Sequence, residues 1–456
     1  MTDRASGPWS AAHRLVTVAV IFLVTTIAFE AMAVSTAMPV VAQELDAVRS
    51  YGLAFSIMLT GELVGIVVSG MWSDQSGPVP PLILGQLLFA AGSVIAGLSV
   101  NFSMLLTGRL VTGLGAGLII VALYVVIGRA YPEAVRPTVF SWLSAAWVLP
   151  ALVGPPVAGV VTTTWSWRWV FLLAVVPVAV TYVVVLSRRR QIEGEAVAAS
   201  AMHRSRSRTI AVTGVVVALS AGVMQVGAER IVPLNAAAIG ATGLGLVGLA
   251  VAVPRLVPRG THRMARGLPS VMASRFLLIG TFDGAMTFVP LMLVAERGLT
   301  PGLAGLMLSV GAVGWTLGSF IQANAAYADR KPALVSAGGG FLAGGILVLA
   351  CVAAFDLPSL VVGVGAALSG LGMGLATAST SVLALSLSRP EEYGAAGSSL
   401  NISDVLGSVI GLSLAGAVFA ALHDPSGSDA PVFLLMWAGL AGAALLVIPG
   451  GRRARP

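Results

Sequence analysis

"LVTVAVIFLVTTIAFEAMAVSTAMP", Leu15 to Pro39, is a run of apolar and small residues interrupted by one charge, Glu30. At 1.5 Å rise per residue the run is long enough, as a helix, to cross a hydrocarbon layer about 30 Å thick. It is too long for a signal-peptide core and reads as a retained membrane helix. Similar runs recur along the whole 456-residue chain, which is 57% hydrophobic and only 10% charged, with mean hydropathy +0.93. That lies outside the range of soluble domains. Strand-like alternation is absent, which excludes a membrane β-barrel.

Fourteen spans are expected: 15–38, 51–71, 81–100, 104–127, 138–160, 169–187, 210–228, 235–253, 276–294, 303–323, 333–355, 358–385, 395–422 and 431–449. An even number puts both termini on one side. Most of the 26 Lys and Arg fall in the tails and alternate loops of that side, with clusters at Arg188–Arg190, Arg204–Arg208, Arg255–Arg266 and Arg452–Arg455. The positive-inside rule then sets both termini in the cytoplasm. The basic balance reads as topology signals and lipid-headgroup contacts, not as a nucleic-acid site. The single cysteine, Cys351, offers neither a disulfide nor a cysteine metal cluster, and the four histidines fall in expected loops or tails.

The sequence also repeats itself. "FEAM" at 29–32 returns as "FDGAM" at 282–286, and "TGLGAGL" at 112–118 as "SGLGMGL" at 369–375. Asp74 matches Asp329, and Pro150/Gly154 match Gly407/Gly411, so the offset stays between 253 and 257 residues throughout. The expected organisation is an N-terminal six-helix bundle (1–187), cytoplasmic linkers with two extra helices (188–275), and a C-terminal six-helix bundle with a basic tail (276–456). The fold class is thus an all-α polytopic membrane protein of two pseudo-symmetric bundles plus two inserted helices. Repeats of this kind build secondary transporters, with sites near the midplane. No phosphate-binding GxxxxGK[ST] loop and no enzyme-like nucleophile, base or metal cluster is present, so the chain reads as a non-enzyme without a cofactor, driven by a gradient.

At these motifs the chain resembles the major facilitator superfamily, and within it the fourteen-span drug:proton antiporters of the multidrug efflux type. Glu30, nine residues before Pro39, matches the first-helix signature. Arg109, Gly113 and Gly117 match the fourth-helix signature, and Gly154, Pro155 and Gly159 in "PALVGPPVAG" match the Gly-Pro signature of antiporters. The loop signature after the second span is half kept: Gly70, Asp74 and Gly77 are present, while Gln75, Pro78 and Val79 replace its basic residues. Asp329, Arg330 and Lys331 keep more of it in the second half.

Four acids fall inside expected spans: Glu30, Glu62, Asp283 and Asp404. An ionised carboxylate costs about 2.5–3.5 kcal/mol at a helix centre, so each needs a partner, a wet cavity or a proton. Glu30 and Arg109 are expected at depths that differ by roughly 6 Å, close enough to pair, and are read as the proton-coupling pair with Glu62 as a further candidate. The structural alternatives are a hydrogen-bonding role for Glu30 and a carbonyl-tying role for Arg109. Asp283, Asp404, Trp147 and Trp315 are candidates for a substrate cavity, with snorkelling or packing as their alternatives. Trp165, Trp167 and Trp169 around Arg168 read as an interfacial belt. The expected function is proton-coupled efflux of amphipathic, possibly cationic, small molecules by alternating access, in a bacterial plasma (inner) membrane. The alternatives are export of an endogenous metabolite or lipid by the same fold, and a non-transporting receptor or assembly partner.

Overall fold

The computed structural model describes residues 9–10, 13–132, 135–193, 201–231, 235–389 and 393–455, and every regular element among them is helical. In chain order these are α1 (Arg14–Glu44), α2 (Tyr51–Ser76), α3 (Val79–Gly97), α4 (Phe102–Ala130), α5 (Arg136–Thr164), α6 (Arg168–Leu172), α7 (Val175–Ser187), α8 (Arg189–Glu193), α9 (Ala201–Glu229) and α10 (Ala236–Ala252). They continue as α11 (Leu268–Met286), α12 (Val289–Leu291), α13 (Pro301–Ala323), α14 (Lys331–Ala354), α15 (Leu360–Ser386), α16 (Tyr393–Leu422), α17 (Ala430–Leu445) and α18 (Val447–Arg453). Thirteen spans are long and apolar enough to cross a membrane, and a fourteenth, shorter apolar stretch, Val212–Ala228, lies inside α9. The side chains of Arg204, Arg206 and Arg208 on α9 lie outside the described set.

Local chemistry sets several boundaries. Asn101 caps α4 by accepting from the Met104 amide at 2.9 Å, and Asn235 caps α10 by accepting from Ala237 and Ala238. Proline explains two breaks inside spans. Pro177 has no N–H for the Leu173 carbonyl, and the sixth span divides there into α6 and α7. Pro290 likewise leaves the Met286 carbonyl at the end of α11, after which the chain makes α12 and a π turn, Met292–Glu296.

The chain forms two compact units: residues up to Ala37 with Ile57–Ala218, and Met38–Ser56 with the residues from Leu219. In the first, α4 lies backbone to backbone against α2. A Cβ on Gly113 would sit 2.0 Å from the Met58 carbonyl oxygen, and one on Gly117 2.1 Å from that of Glu62. In the second unit Gly370 and Gly374 of α15 meet the Gly311 and Trp315 carbonyl oxygens of α13 at the same 2.0 and 2.1 Å. The sequence repeat is therefore a repeat of helix packing, and the close approach is what glycine permits between helices in lipid.

Two expectations are corrected. Arg275, expected just outside the ninth span, lies within α11, inside the span Leu268–Glu296. Trp167 is not part of an interfacial belt: it is 1% exposed, packs edge-on to Phe171, and carries the Arg168 guanidinium 4.2 Å above its ring. Only Trp165 and Trp169 of that trio are exposed.

Candidate functional site

In the first unit Glu30 of α1 and Arg109 of α4 form an ion pair, Arg109 Nη1 donating to Glu30 Oε1. Glu30 is fully buried and Arg109 2% exposed. Glu30 Oε2 has no hydrogen-bond partner and is equally buried. An acid held by one oxygen, with the other bare, has an open position for a proton or a substrate donor. The pair's geometry is fixed by packing. A Cβ on Gly108, beside Arg109, would meet the Ala96 amide of α3 at 2.5 Å, and Gly113 one turn on is locked to α2. Gly154 of α5 faces Phe29 and Met32 on either side of Glu30. Gly154, Pro155 and Gly159 are all buried, on a helix that also holds Pro150 and Pro156.

Glu62 is half-buried on α2, and its carbonyl forms the Gly117 contact. The packing repeat makes Trp315 its counterpart. Trp315 is half-buried and stacks edge-on with Phe282 at 5.5 Å, while Trp147 is exposed on α5.

Asp283, counterpart of Glu30 in the second unit, has no ion pair with an arginine among the described residues. Ser408 of α16 donates to its Oδ2 instead. Two turns toward the start of α11, Arg275 grips Asp404 of α16 with both arms, Nε to Oδ1 at 2.5 Å and Nη2 to Oδ2 at 2.9 Å. Its remaining nitrogen donates to the Thr377 carbonyl at 2.6 Å. Asp404 is thereby neutralised by a fixed cation. The two candidate acids of this unit differ in kind, one ion-paired to Arg275 and one hydrogen-bonded by the Ser408 hydroxyl.

Gly70 and Asp74 are half-buried at the end of α2, and Gly77 turns the chain into α3 at φ +81°. The basic residue missing from this loop arrives from elsewhere: Arg129, at the end of α4, donates to the Ser73 carbonyl at 3.3 Å. In the second half Asp329 and Arg330 are exposed on a 3₁₀ turn, and Lys331 ties to Gln322. Arg129, Arg275 and Ser408 were missed by sequence reasoning. The signal for Arg275 was present, since an intramembrane acid at Asp404 demands a cation; a serine in an apolar helix gives none.

No group of three or more His, Cys, Asp or Glu able to hold a metal occurs among the described residues. The profile of the Major Facilitator Superfamily matches residues 20–411. The efflux pump dotC of Dothistroma septosporum is 27% identical over 153 residues, 33% of this chain and 26% of that one. The multidrug efflux pump SdrM of Staphylococcus aureus is 27% identical over 150 residues, 32% of this chain and 34% of that one. The chain thus spans well under two thirds of the length of these relatives. A solved POT family transporter in complex with 5-aminolevulinic acid superposes with a TM-score of 0.71 at 14% identity, covering 99% of both chains. Helix count, repeated packing and profile agree, and the chain belongs to the Major Facilitator Superfamily, as a multi-pass membrane transporter resembling its drug efflux members.

Proposed function

We propose that the protein is a proton-coupled exporter that exchanges protons for amphipathic, often cationic, small molecules by alternating access. The observation that carries this reading is Glu30: a buried carboxyl, pinned to Arg109 through one oxygen and bare at the other. A proton on Glu30 releases the Arg109 guanidinium, and loss of the proton restores the pair. That is a two-state electrostatic element which substrate or protons bias. Asp283, held by the Ser408 hydroxyl, is the second carboxyl positioned to bind a proton or a cationic substrate. Glu62, on the helix that packs against α4, is a third candidate.

The energetics suffice. One proton crossing about 100 mV releases about 2.3 kcal/mol, and a one-unit pH difference adds about 1.4 kcal/mol. The sum sustains a gradient of several hundred-fold for a neutral substrate exchanged one to one. The efflux pumps among the relatives support the direction of transport. Others are named as a vacuolar basic amino acid transporter of Saccharomyces cerevisiae and an acurin A biosynthesis cluster transporter of Aspergillus aculeatus, which favours an endogenous metabolite as the second reading of substrate.

The test uses purified protein in liposomes with an internal pH dye and a panel of lipophilic cations, neutral amphiphiles and basic metabolites. Addition of a substrate is expected to move protons through the wild type and not through Glu30→Gln. Equal coupling by a folded Glu30→Gln variant would overturn the assignment of Glu30. A wild type silent to the whole panel would overturn the exchange reading.

A further inference from the structure

The second unit carries a titratable pair that transport through Glu30 does not use. His423 follows the last residue of α16, and its Nδ1 lies 2.7 Å from Asp429 Oδ2, just before α17. Asp429 is 5% exposed, and its other oxygen, Oδ1, is buried without a partner. Its backbone amide donates to Glu296 Oε1 at 3.0 Å, and Ser428 Oγ donates to Glu296 Oε2 at 2.6 Å. Glu296 is the last residue of the π turn, so its carboxylate occupies the N-terminal end of α17, where an anion is favoured.

The imidazole of His423 is stacked on Phe419, with ring centres 5.2 Å apart. Phe419 packs on Phe288 at 5.4 Å, and Phe288 on Tyr51 at 5.3 Å. Tyr51 is the first residue of α2, next to the α1–α2 connection (45–50), and residues 38–56 around that connection are part of this unit. That connection is tied down three times. Tyr51 donates to the Thr287 carbonyl at 3.0 Å, Arg49 Nε donates to the Ala420 carbonyl at 2.8 Å, and Gly52 meets Gly416 backbone to backbone. A continuous chain of ring contacts thus runs from a titratable pair to a docked segment. Two of the three ties are made to the last turns of α16, the helix that His423 terminates.

We propose that His423 and Asp429 form a proton-binding site whose occupancy clasps the α1–α2 connection onto the second unit. The charge balance supplies the reason. Around the pair stand Glu296, Asp424 in the same loop, Arg49 at the Ala420 carbonyl, and Arg297, which is already paired with Asp356 and the Val352 carbonyl. With His423 neutral, Asp429 and Glu296 are two neighbouring carboxylates that repel each other. An imidazolium there balances them and also sits at the negative end of the α16 dipole. The Asp429 carboxyl is held above the usual range chiefly by burial, with the His423 hydrogen bond pulling the other way.

The experiment is amide exchange on the full chain in lipid nanodiscs, at about pH 5.5 and about pH 8, the range in which imidazoles change charge. After correction for intrinsic exchange, residues 45–56 and 417–423 are expected to be several-fold more protected at the lower pH. His423→Gln and Asp429→Asn are expected to abolish that step, and Glu30→Gln to leave it in place. A wild type with no step, or with a step shared equally by α4, would overturn the clasp without reference to any variant. So would a step that survives in folded His423→Gln, or one that Glu30→Gln removes.

Discussion

Glu30 and Arg109 hold each other's charge in a place where both are buried. Removing the cation alone strands a buried carboxylate, which in comparable sites costs about 3–5 kcal/mol, whereas removing both charges together is often nearly neutral. Arg109→Met is therefore expected to lower thermal stability markedly, and Glu30→Gln/Arg109→Met to recover most of the loss while remaining unable to couple. Thermal unfolding of the detergent-solubilised variants tests this; equal stability of the single and double variants would mean that the pair does not act as one unit. The Arg275–Asp404 pair is less enclosed, with side chains 14% and 24% exposed, and it has the extra Thr377 anchor. Asp404→Asn is expected to destabilise by about 1–3 kcal/mol, because Arg275 retains that carbonyl and some access to water. If this variant proves as damaging as Arg109→Met, the exposure difference is not what separates the two pairs.

At the scale of elements, glycine placement decides how close helices come. Gly117→Val puts a branched side chain where a single Cβ already lies 2.1 Å from the Glu62 carbonyl, against backbone that cannot yield. Folded protein is expected to be lost. Gly128→Ala, on the same helix with nothing within 4 Å of the added carbon, is expected to stabilise by about 0.5–1 kcal/mol through helix propensity. Size-exclusion yield and melting temperature distinguish the two, and a tolerated Gly117→Val would show that α2 and α4 are free to separate. The sequence made these helices legible because a span needs a long uninterrupted apolar run, and it made their pairing legible because the glycines recur at fixed spacing. It did not reveal that α11 starts before Arg275. A charge at the edge of a hydropathy run reads as its boundary, and the neutralising partner, Asp404, lies more than a hundred residues away in the chain. The breaks at Leu173 and Met286 were written in Pro177 and Pro290, but a proline in a long apolar run does not say whether the helix bends or stops. Ser408 was illegible for a simpler reason: a hydroxyl satisfied by its own helix and one aimed at an acid look alike in sequence.

For the whole molecule, the helix count and the basic residues make one joint statement. An even count of spans would return the chain to its starting side, and the positive-inside rule would make the side that gathers the arginines of 188–190, 255–266 and 452–455 the cytoplasm. On that expectation the loop between α16 and α17, with His423 and Asp429, would face outward, toward the more acidic side of an energised membrane. In a Cys351→Ser background, Pro425→Cys is expected to react with a membrane-impermeant maleimide in intact bacterial cells, and Arg455→Cys only after lysis. The reverse pattern would invert the molecule. The clasp would then sense cytoplasmic pH, and Glu30 would have to take its proton from the opposite face for export to run. A pattern as expected places the His423 pair where outside protons reach it first. Acid outside would then favour the docked α1–α2 connection, in a unit separate from the one that holds Glu30.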